Sequence, residues 1–336
     1  MVKSRAAEWQ HLRNVEDPST MAETDLTIAI PDMISNSYFP IVAASELGYF
    51  KREGLEVTLE LISPADNAYA ALHSGAVDLV GAEAHAALAV FPDWSGVKLI
   101  CAQSQGMYWF LVMRSDLMIE RGDIASVRGR RIAAAPWVEM GLRRMLIAVG
   151  IDPMRDLEIV TLPEILNRQV NTGITLAKAL EERRIDGFWA NGMGAAVAAH
   201  CGAGSVVLDV RRGDGPPGCF DYTLPVLAAT DHFLSVAPKT AEAAIRAIAA
   251  THTALRRDVG LATAAAKRLF PPLEADLIRN LVQLDLPFYN TSLSEQTVRD
   301  LNAFAVAMGL LKQPVPFDKV VATSMNCAGK HGLAQR

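Results

Sequence analysis

The sequence predicts an α/β protein built as two similar lobes with a ligand cleft between them. Three observations carry this prediction. Short apolar or β-branched runs alternate with helical stretches from Leu26 onward, the pattern of mainly parallel sheets covered by helices. The alternation starts again after Asp123. One layout also recurs: residues 72–81 and 180–191 each run from a helix end through a tight turn, an aspartate and a four-residue apolar strand into small polar residues. The two aspartates, Asp78 and Asp186, stand 108 residues apart.

Taken in order, 26–30 (Leu-Thr-Ile-Ala-Ile) alternates and is a strand. Pro31 and the polar run 32–37 make a loop, and Pro40 sits in the first turn of a helix that Gly48 and Gly54 punctuate. A second strand is expected over 55–62, then a helix opened by Ser63-Pro64-Ala65-Asp66 and closed at Ser74-Gly75. Residues 77–80 form a buried strand, 83–90 a small-residue helix, and 97–103 and 109–114 two further strands. The second round has strands at 131–134, 157–161, 187–190 and 206–210, with helices at 138–149, 176–183 and 194–200. A loop with three glycines and two prolines fills 211–218 before a returning strand at 223–230. From Pro238 to about Gly309 the pattern is almost wholly helical. The expected division is a tail at 1–24, a first lobe of 25–112 with 225–336, and an inserted second lobe of 113–224.

Composition narrows the function. Of the 336 residues, 51% are hydrophobic and 21% charged, the balance of a globular chain. Lys+Arg 32 against Asp+Glu 37 gives a net charge of −5, which argues against nucleic acid as a partner. The basic pairs Arg130-Arg131, Arg143-Arg144 and Arg183-Arg184 read as solvated helix and turn faces. No run reaches the roughly 18 apolar residues of a membrane-spanning helix. The four cysteines, Cys101, Cys201, Cys219 and Cys327, are far apart and form neither a CxxC pair nor a disulfide framework. No metal and no cofactor is expected, and the chain reads as a monomer. Its start, Lys3 to Asn14, is polar where a signal peptide needs an apolar core, so the chain as written is expected in the cytoplasm. An upstream signal would make it periplasmic.

Three segments carry a family resemblance. Residues 43–57 read Ala-Ala-Ser-Glu-Leu-Gly-Tyr-Phe-Lys-Arg-Glu-Gly-Leu-Glu-Val, 71–78 read Ala-Leu-His-Ser-Gly-Ala-Val-Asp, and 127–133 continue through Glu139 and Leu142 to Gly150-Ile151-Asp152-Pro153. In this order they resemble the NMT1/THI5-like group of sulfonate, taurine, nitrate and thiamine-precursor binding proteins. The resemblance implies a two-lobed type II periplasmic-binding-protein-like fold with the ligand cleft between the lobes. It also implies non-catalytic capture of a small molecule for an ABC transporter permease. The matching motifs are framework and do not name the ligand. A desulfinase branch of the group carries a nucleophilic cysteine in the first strand-to-helix loop; here 32–38 has none. The cysteine cluster of the pyrimidine-synthase branch is also missing. The alternative is a cytoplasmic enzyme on the same fold, a decarboxylase, a desulfinase-like protein or one related to thiamine-pyrimidine precursors. A transcriptional effector domain would need a helix-turn-helix segment before Leu26, and none is seen.

Loops at the carboxyl ends of strands face the cleft of such a fold, and they nominate the candidate ligand-binding residues. Ser35, Asn36 and Tyr38 either grip a polar ligand or cap the helix at Phe39. Ser63 and Asp66 have the same two readings, and Glu83 at a helix start answers either a ligand or the helix dipole. Ser104 and Tyr108 leave the fourth strand, with Gln103 beside them. His73 and His85 have no second ligand at metal spacing. In the second lobe Trp137 and Glu139 stand at a helix amino end, where the sulfonate and nitrate binders receive an anion; Glu139 there favours a donor-bearing ligand over a bare dianion. Trp189, Asn191 and Asp221 complete the set. Tyr38, Trp137 and Trp189 together point to a small aromatic or heterocyclic ligand, organic-acid-like compounds included. No residue is assigned a catalytic role.

Overall fold

The computed structural model of the protein describes residues 24–166 and 171–325. The expected tail, apart from Thr24, and Cys327 lie outside the described residues.

The first strand, β1 (Thr24–Ile30), buries Leu26, Ile28, Ala29 and Ile30 on both faces, as a central strand of a covered sheet does. It runs parallel to β2 (Leu55–Leu61) and β3 (Leu79–Glu83). Between β1 and β2 lie α1 (Phe39–Glu46), opened by Pro40, and α2 (Tyr49–Arg52). Gly48, at φ 72°, supplies the left-handed joint between these two helices. Helix α3 (Ala65–Ser74) connects β2 to β3, and β4 (Val97–Ala102) lies at the sheet edge.

The second sheet takes the next stretch of chain: β5 (Phe110–Arg114), β6 (Arg131–Ala134), α4 (Val138–Ala148), β7 (Glu158–Val160), α5 (Thr172–Glu181), β8 (Gly187–Ala190), α6 (Gly192–His200) and β9 (Gly204–Asp209). Strand β10 (Pro225–Thr230) then returns to the first sheet. The strand orders are β2-β1-β3-β10-β4 and β7-β6-β8-β5-β9. In each, the fourth strand is antiparallel to both neighbours and is the one that crosses from the other half of the chain.

The internal echo in the sequence extends to single hydrogen bonds. The Asp78 carboxylate accepts the Thr27 amide at 2.7 Å, and the Asp186 carboxylate accepts the Arg131 amide at 3.0 Å. The Asp78 and Asp186 amides donate back to the Thr27 and Arg131 carbonyls. Each aspartate thereby ties the lead-in of its own strand to the neighbouring parallel strand, at Thr27 within β1 and at Arg131 at the start of β6, and fixes register in its sheet.

Helices α7 (Asp231–Val236), α8 (Pro238–Arg257), α9 (Gly260–Ala266), α10 (Pro272–Asp285), α11 (Glu295–Ala307) and α12 (Phe317–Val320) follow. Ala244, Ile248, Ala265 and Ile278 cover one face of the first sheet; Val298, Leu301 and Val320 cover the other. Two of these helices also reach the second lobe, since Met193 joins the core of α8–α10 and Phe304 packs among Tyr108, Trp109 and Trp189.

Local differences from expectation are small and have physical causes. Residues 84–89 form a 3-10 helix instead of an α-helix, with buried Ala84, Ala86 and Ala87. The third strand is Leu79–Glu83, later than the expected 77–80, because Asp78 is committed to the Thr27 clamp. Strand β5 lies entirely in the second sheet, so the change of sheet falls at 103–109, ahead of the expected boundary after 112.

Candidate functional site

Five strand ends converge on one partly open cleft. Asp32, Ser35 and Tyr38 follow β1, Ser63 follows β2, and Glu83 ends β3; from the second lobe come Ala135 and Pro136 after β6 and Ala190 and Asn191 after β8. Tyr108, Trp109, Val138, Thr172 and Trp189 complete most of the wall. The cavity is about 40 Å³. That holds a few waters, while an engineered cavity that takes benzene is about 150 Å³, so the space as it stands is too small for a ring.

Two carboxyl groups dominate its chemistry. Asp32 is 5% exposed; its Oδ1 accepts the Ile34 amide at 3.1 Å and its Oδ2 accepts Asn191 Nδ2 at 2.9 Å across the cleft. Burial pushes its pKa up to about 6, against the opposing pull of these hydrogen bonds. Glu83 is 2% exposed and accepts the Tyr38 hydroxyl at 2.6 Å; burial raises its pKa too. The Tyr38 and Tyr108 hydroxyls are 2.7 Å apart. With Glu83 ionised, Tyr38 spends its one proton on the carboxylate, so Tyr108 donates to Tyr38. Among the described residues, no lysine, arginine or histidine lines the cavity.

His85 stands just behind the wall. Its Nδ1 lies 3.0 Å from Thr223 Oγ1 and its Nε2 3.0 Å from the Trp137 carbonyl of the second lobe. Trp109, Trp137 and Phe304 surround the ring, and burial pulls its pKa down to about 4, so it is neutral at pH 7. A neutral imidazole facing a carbonyl donates from Nε2, which leaves Nδ1 to accept the Thr223 hydroxyl.

Of the residues nominated from sequence, Ser35, Tyr38, Ser63, Glu83, Tyr108, Trp189 and Asn191 line the cavity. The capping role expected of the loop residues is not seen, since α1 and α3 have no side-chain cap. Asn191 does cap α6, accepting the Gly194 amide at 3.1 Å while donating to Asp32. Trp189 is fully buried and donates Nε1–H to the Val138 carbonyl, so it presents one part of its surface to the cavity and the rest to the core.

Five nominated residues lie elsewhere. Glu139 pairs with Arg143 one helical turn on, at 2.8 Å, and faces away from the cavity. Trp137 starts α4 at φ 70°, a strained conformation for a tryptophan, and its ring packs toward the first lobe while its carbonyl meets His85. At this helix amino end the Glu139 and Met140 amides donate to the Ala135 and Trp137 carbonyls. Asp221 is exposed on a 3-10 turn. Asn36 and Ser104 are buried beside the cleft in a separate network. There Asp285 accepts Asn36 Nδ2 at 2.6 Å, Arg211 Nη1 at 2.8 Å and Arg212 Nη1 at 2.8 Å, and Arg211 Nη2 donates to Ser104 Oγ at 2.6 Å. The network joins the end of β9 to the end of α10 and to the β1 loop.

Residues that the sequence reading passed over include Asp32, Trp109 and Thr172. Asp32 belongs to a loop already nominated; its position directly after Pro31 at a strand's carboxyl end was the available signal. Of the cysteines, Cys101 lies in the β4 core, Cys219 is buried under a 3-10 turn and Cys201 is exposed after α6; none of these lines the cavity. Among the described residues no cluster of three His, Cys, Asp or Glu is placed to hold a metal, and no helix is long and apolar enough to cross a membrane.

Comparison places this architecture among known ones. No curated protein sequence matches the chain. Among solved structures, a protein from Bordetella bronchiseptica RB50 superposes with a TM-score of 0.71 at 18% identity, over 93% of this chain and 98% of the other. The alkanesulfonate-binding protein SsuA from Xanthomonas axonopodis pv. citri, bound to MOPS, gives 0.67 at 15% identity over 91% and 99%. The periplasmic nitrate-binding protein NrtA from Synechocystis PCC 6803 gives 0.69 at 12% identity over 93% and 89%. These likenesses establish the two-lobed type II periplasmic-binding fold. The sequence profile of the family described as "NMT1/THI5 like" matches residues 35–257, about two thirds of the chain, and the protein belongs to that family.

Proposed function

We propose that the protein captures a small organic molecule between its lobes and hands it to the permease of an ABC-type importer. The observation that carries this reading is the partly open cavity at the carboxyl ends of strands from both sheets, with side chains from each lobe meeting across it through Asp32–Asn191. The family match and the likeness to sulfonate- and nitrate-binding proteins support it. NrtA is a periplasmic protein. For this chain, function on the periplasmic side follows from delivery to an importer and is checked by cell fractionation. The ligand presents its flat face to the rings of Tyr108, Trp109 and Trp189 and its polar edge to Asp32 and Glu83. Tyr38 takes part through its hydroxyl, and Trp137 supports the wall from behind.

Native mass spectrometry of the purified protein tests the reading. It expects one small-molecule adduct per chain and a smaller radius of gyration in solution with that adduct than after its removal. A chain that carries no adduct and does not contract with any small molecule offered refutes capture.

A further inference from the structure

The charge balance of the cavity wall points to a class of ligand. SsuA and NrtA are described as binders of alkanesulfonate and nitrate, which are oxyanions. An oxyanion needs donors, preferably cationic ones, when it is taken out of water. This wall holds two carboxyl groups and, among the described residues, no cationic side chain. The guanidinium of Arg211, in the adjacent network, lies 5.8 Å from the Tyr108 ring centroid and is bound to Asp285.

The direction of the hydrogen bonds adds to this. Tyr38 donates to Glu83 and Tyr108 donates to Tyr38, so neither phenol proton is free for an incoming oxygen while Glu83 is ionised. Asn191 spends one side-chain N–H on Asp32 and its carbonyl on α6. What remains as donors along the wall are the second Asn191 N–H, the Trp109 indole N–H, the Val138 amide at the start of α4 and the hydroxyls of Ser35, Ser63 and Thr172, all neutral. The Glu83 and Asp32 oxygens and the Tyr108 lone pairs remain as acceptors. Four aromatic residues, Tyr38, Tyr108, Trp109 and Trp189, form a wall whose faces attract positive charge.

We infer that the molecule this cleft closes on carries a planar cationic nitrogen group of the amidinium or guanidinium kind, seated between Glu83 and Asp32 with its face against the aromatic wall. A planar fork of N–H donors matches a carboxylate in both geometry and charge. The inference rests on the capture reading and specifies the charge of what is captured.

Isosteric pairs of opposite charge separate the two ideas. Guanidinium with nitrate, acetamidine with acetate, and benzamidine with benzoate share shape and differ in sign. Each is titrated at millimolar concentration into the ligand-stripped protein, with tryptophan fluorescence and calorimetry as readouts. The expected result is that the cation of at least one pair binds about 10- to 100-fold more tightly than its anionic twin. Glu83→Gln should reduce that preference at least tenfold, and Glu83→Asp should restore part of it. The wild-type comparison needs no variant, so a folding defect in Glu83→Gln leaves the test intact. An anion that binds as tightly as its cationic twin overturns the inference while leaving capture standing, and so does an uncharged or anionic molecule in the native adduct. Failure of every probe, cationic and anionic, also overturns it, and an adduct-free protein would in addition remove the capture reading.

Discussion

Removing the Asp285 carboxylate should damage this protein more than any other single change of charge, and the network around it says by how much. Asp285 is fully buried, and Arg211, its partner at 2.8 Å, is 1% exposed. Without the carboxylate, Arg212 still has Asp209 at 2.8 Å, so it is not stranded. Arg211 is left with Ser104 Oγ and the Gln105 carbonyl, both neutral, and Asn36 loses its acceptor. Breaking a buried pair by deleting one member typically costs about 3–5 kcal/mol, most of it the uncompensated charge. Asp285→Ala should therefore lower the unfolding free energy by about 3–5 kcal/mol, and Asp285→Asn, which keeps an acceptor oxygen, by about half as much. Adding Arg211→Met to Asp285→Ala removes the stranded guanidinium and should return about 1–3 kcal/mol. Urea unfolding followed by tryptophan fluorescence and circular dichroism reads all three at a common m-value. A loss below about 1 kcal/mol for Asp285→Ala would refute the reasoning, as would a double variant no more stable than the single one.

Stability should also depend on pH with two opposed signs. Buried His85 and His252, with pKa values lowered to about 4 and about 3, are charged in the unfolded chain below pH 6.5, so stability is lost as pH falls from there toward those values. Asp32, raised to about 6, acts the other way: the native state holds its proton more tightly, so its contribution weakens as pH rises from about 4 to 6. Replacing Asp32 by Asn should thus steepen the acid loss of unfolding free energy and His252→Gln should flatten it; unchanged slopes would refute both assignments. A methyl group built on Gly192 would lie 2.8 Å from Asn36 Oδ1 across the lobes, so Gly192→Ala should leave the solution radius of gyration larger and weaken capture several-fold. Trp189→Ala should cost about 3–5 kcal/mol in denaturant unfolding, the loss of a core tryptophan, before any effect on ligand is read.

What could be read from the sequence followed from local pattern. The alternating strands, the first-turn Pro40 and the Asp78/Asp186 echo all depend on residues near one another in the chain, and the structure contains each of them. Strand ends likewise directed attention to the loops that form the cavity. The misplacements arose where side chains choose distant partners. Asn36 meets Asp285 249 residues away and Ser104 meets Arg211 107 away, separations that leave no periodic trace. Glu139 is the exception: Arg143 at i+4 was visible in the sequence, and that pair accounts for its outward position. The carboxyl groups that do line the cavity are those of Asp32 and Glu83, both buried.

The placement of β10 has a bearing on how the chain is made. Strand β10 lies between β3 and β4, yet it is synthesised after every strand of the second sheet. A nascent chain that has just completed β9 holds a full set of strands for the second lobe, while β4 has neither neighbour nor place in the first. Sheet completion therefore runs from the inside outward, with the inserted lobe closing first although its partner began earlier. The last helices, which cover the first sheet, arrive only after that. Ribosome-stalled chains long enough for residue 224 to have left the exit tunnel, with β10 still inside it, should accordingly protect 110–209 from protease and leave 24–102 open to it. Equal protection of both stretches would contradict this order.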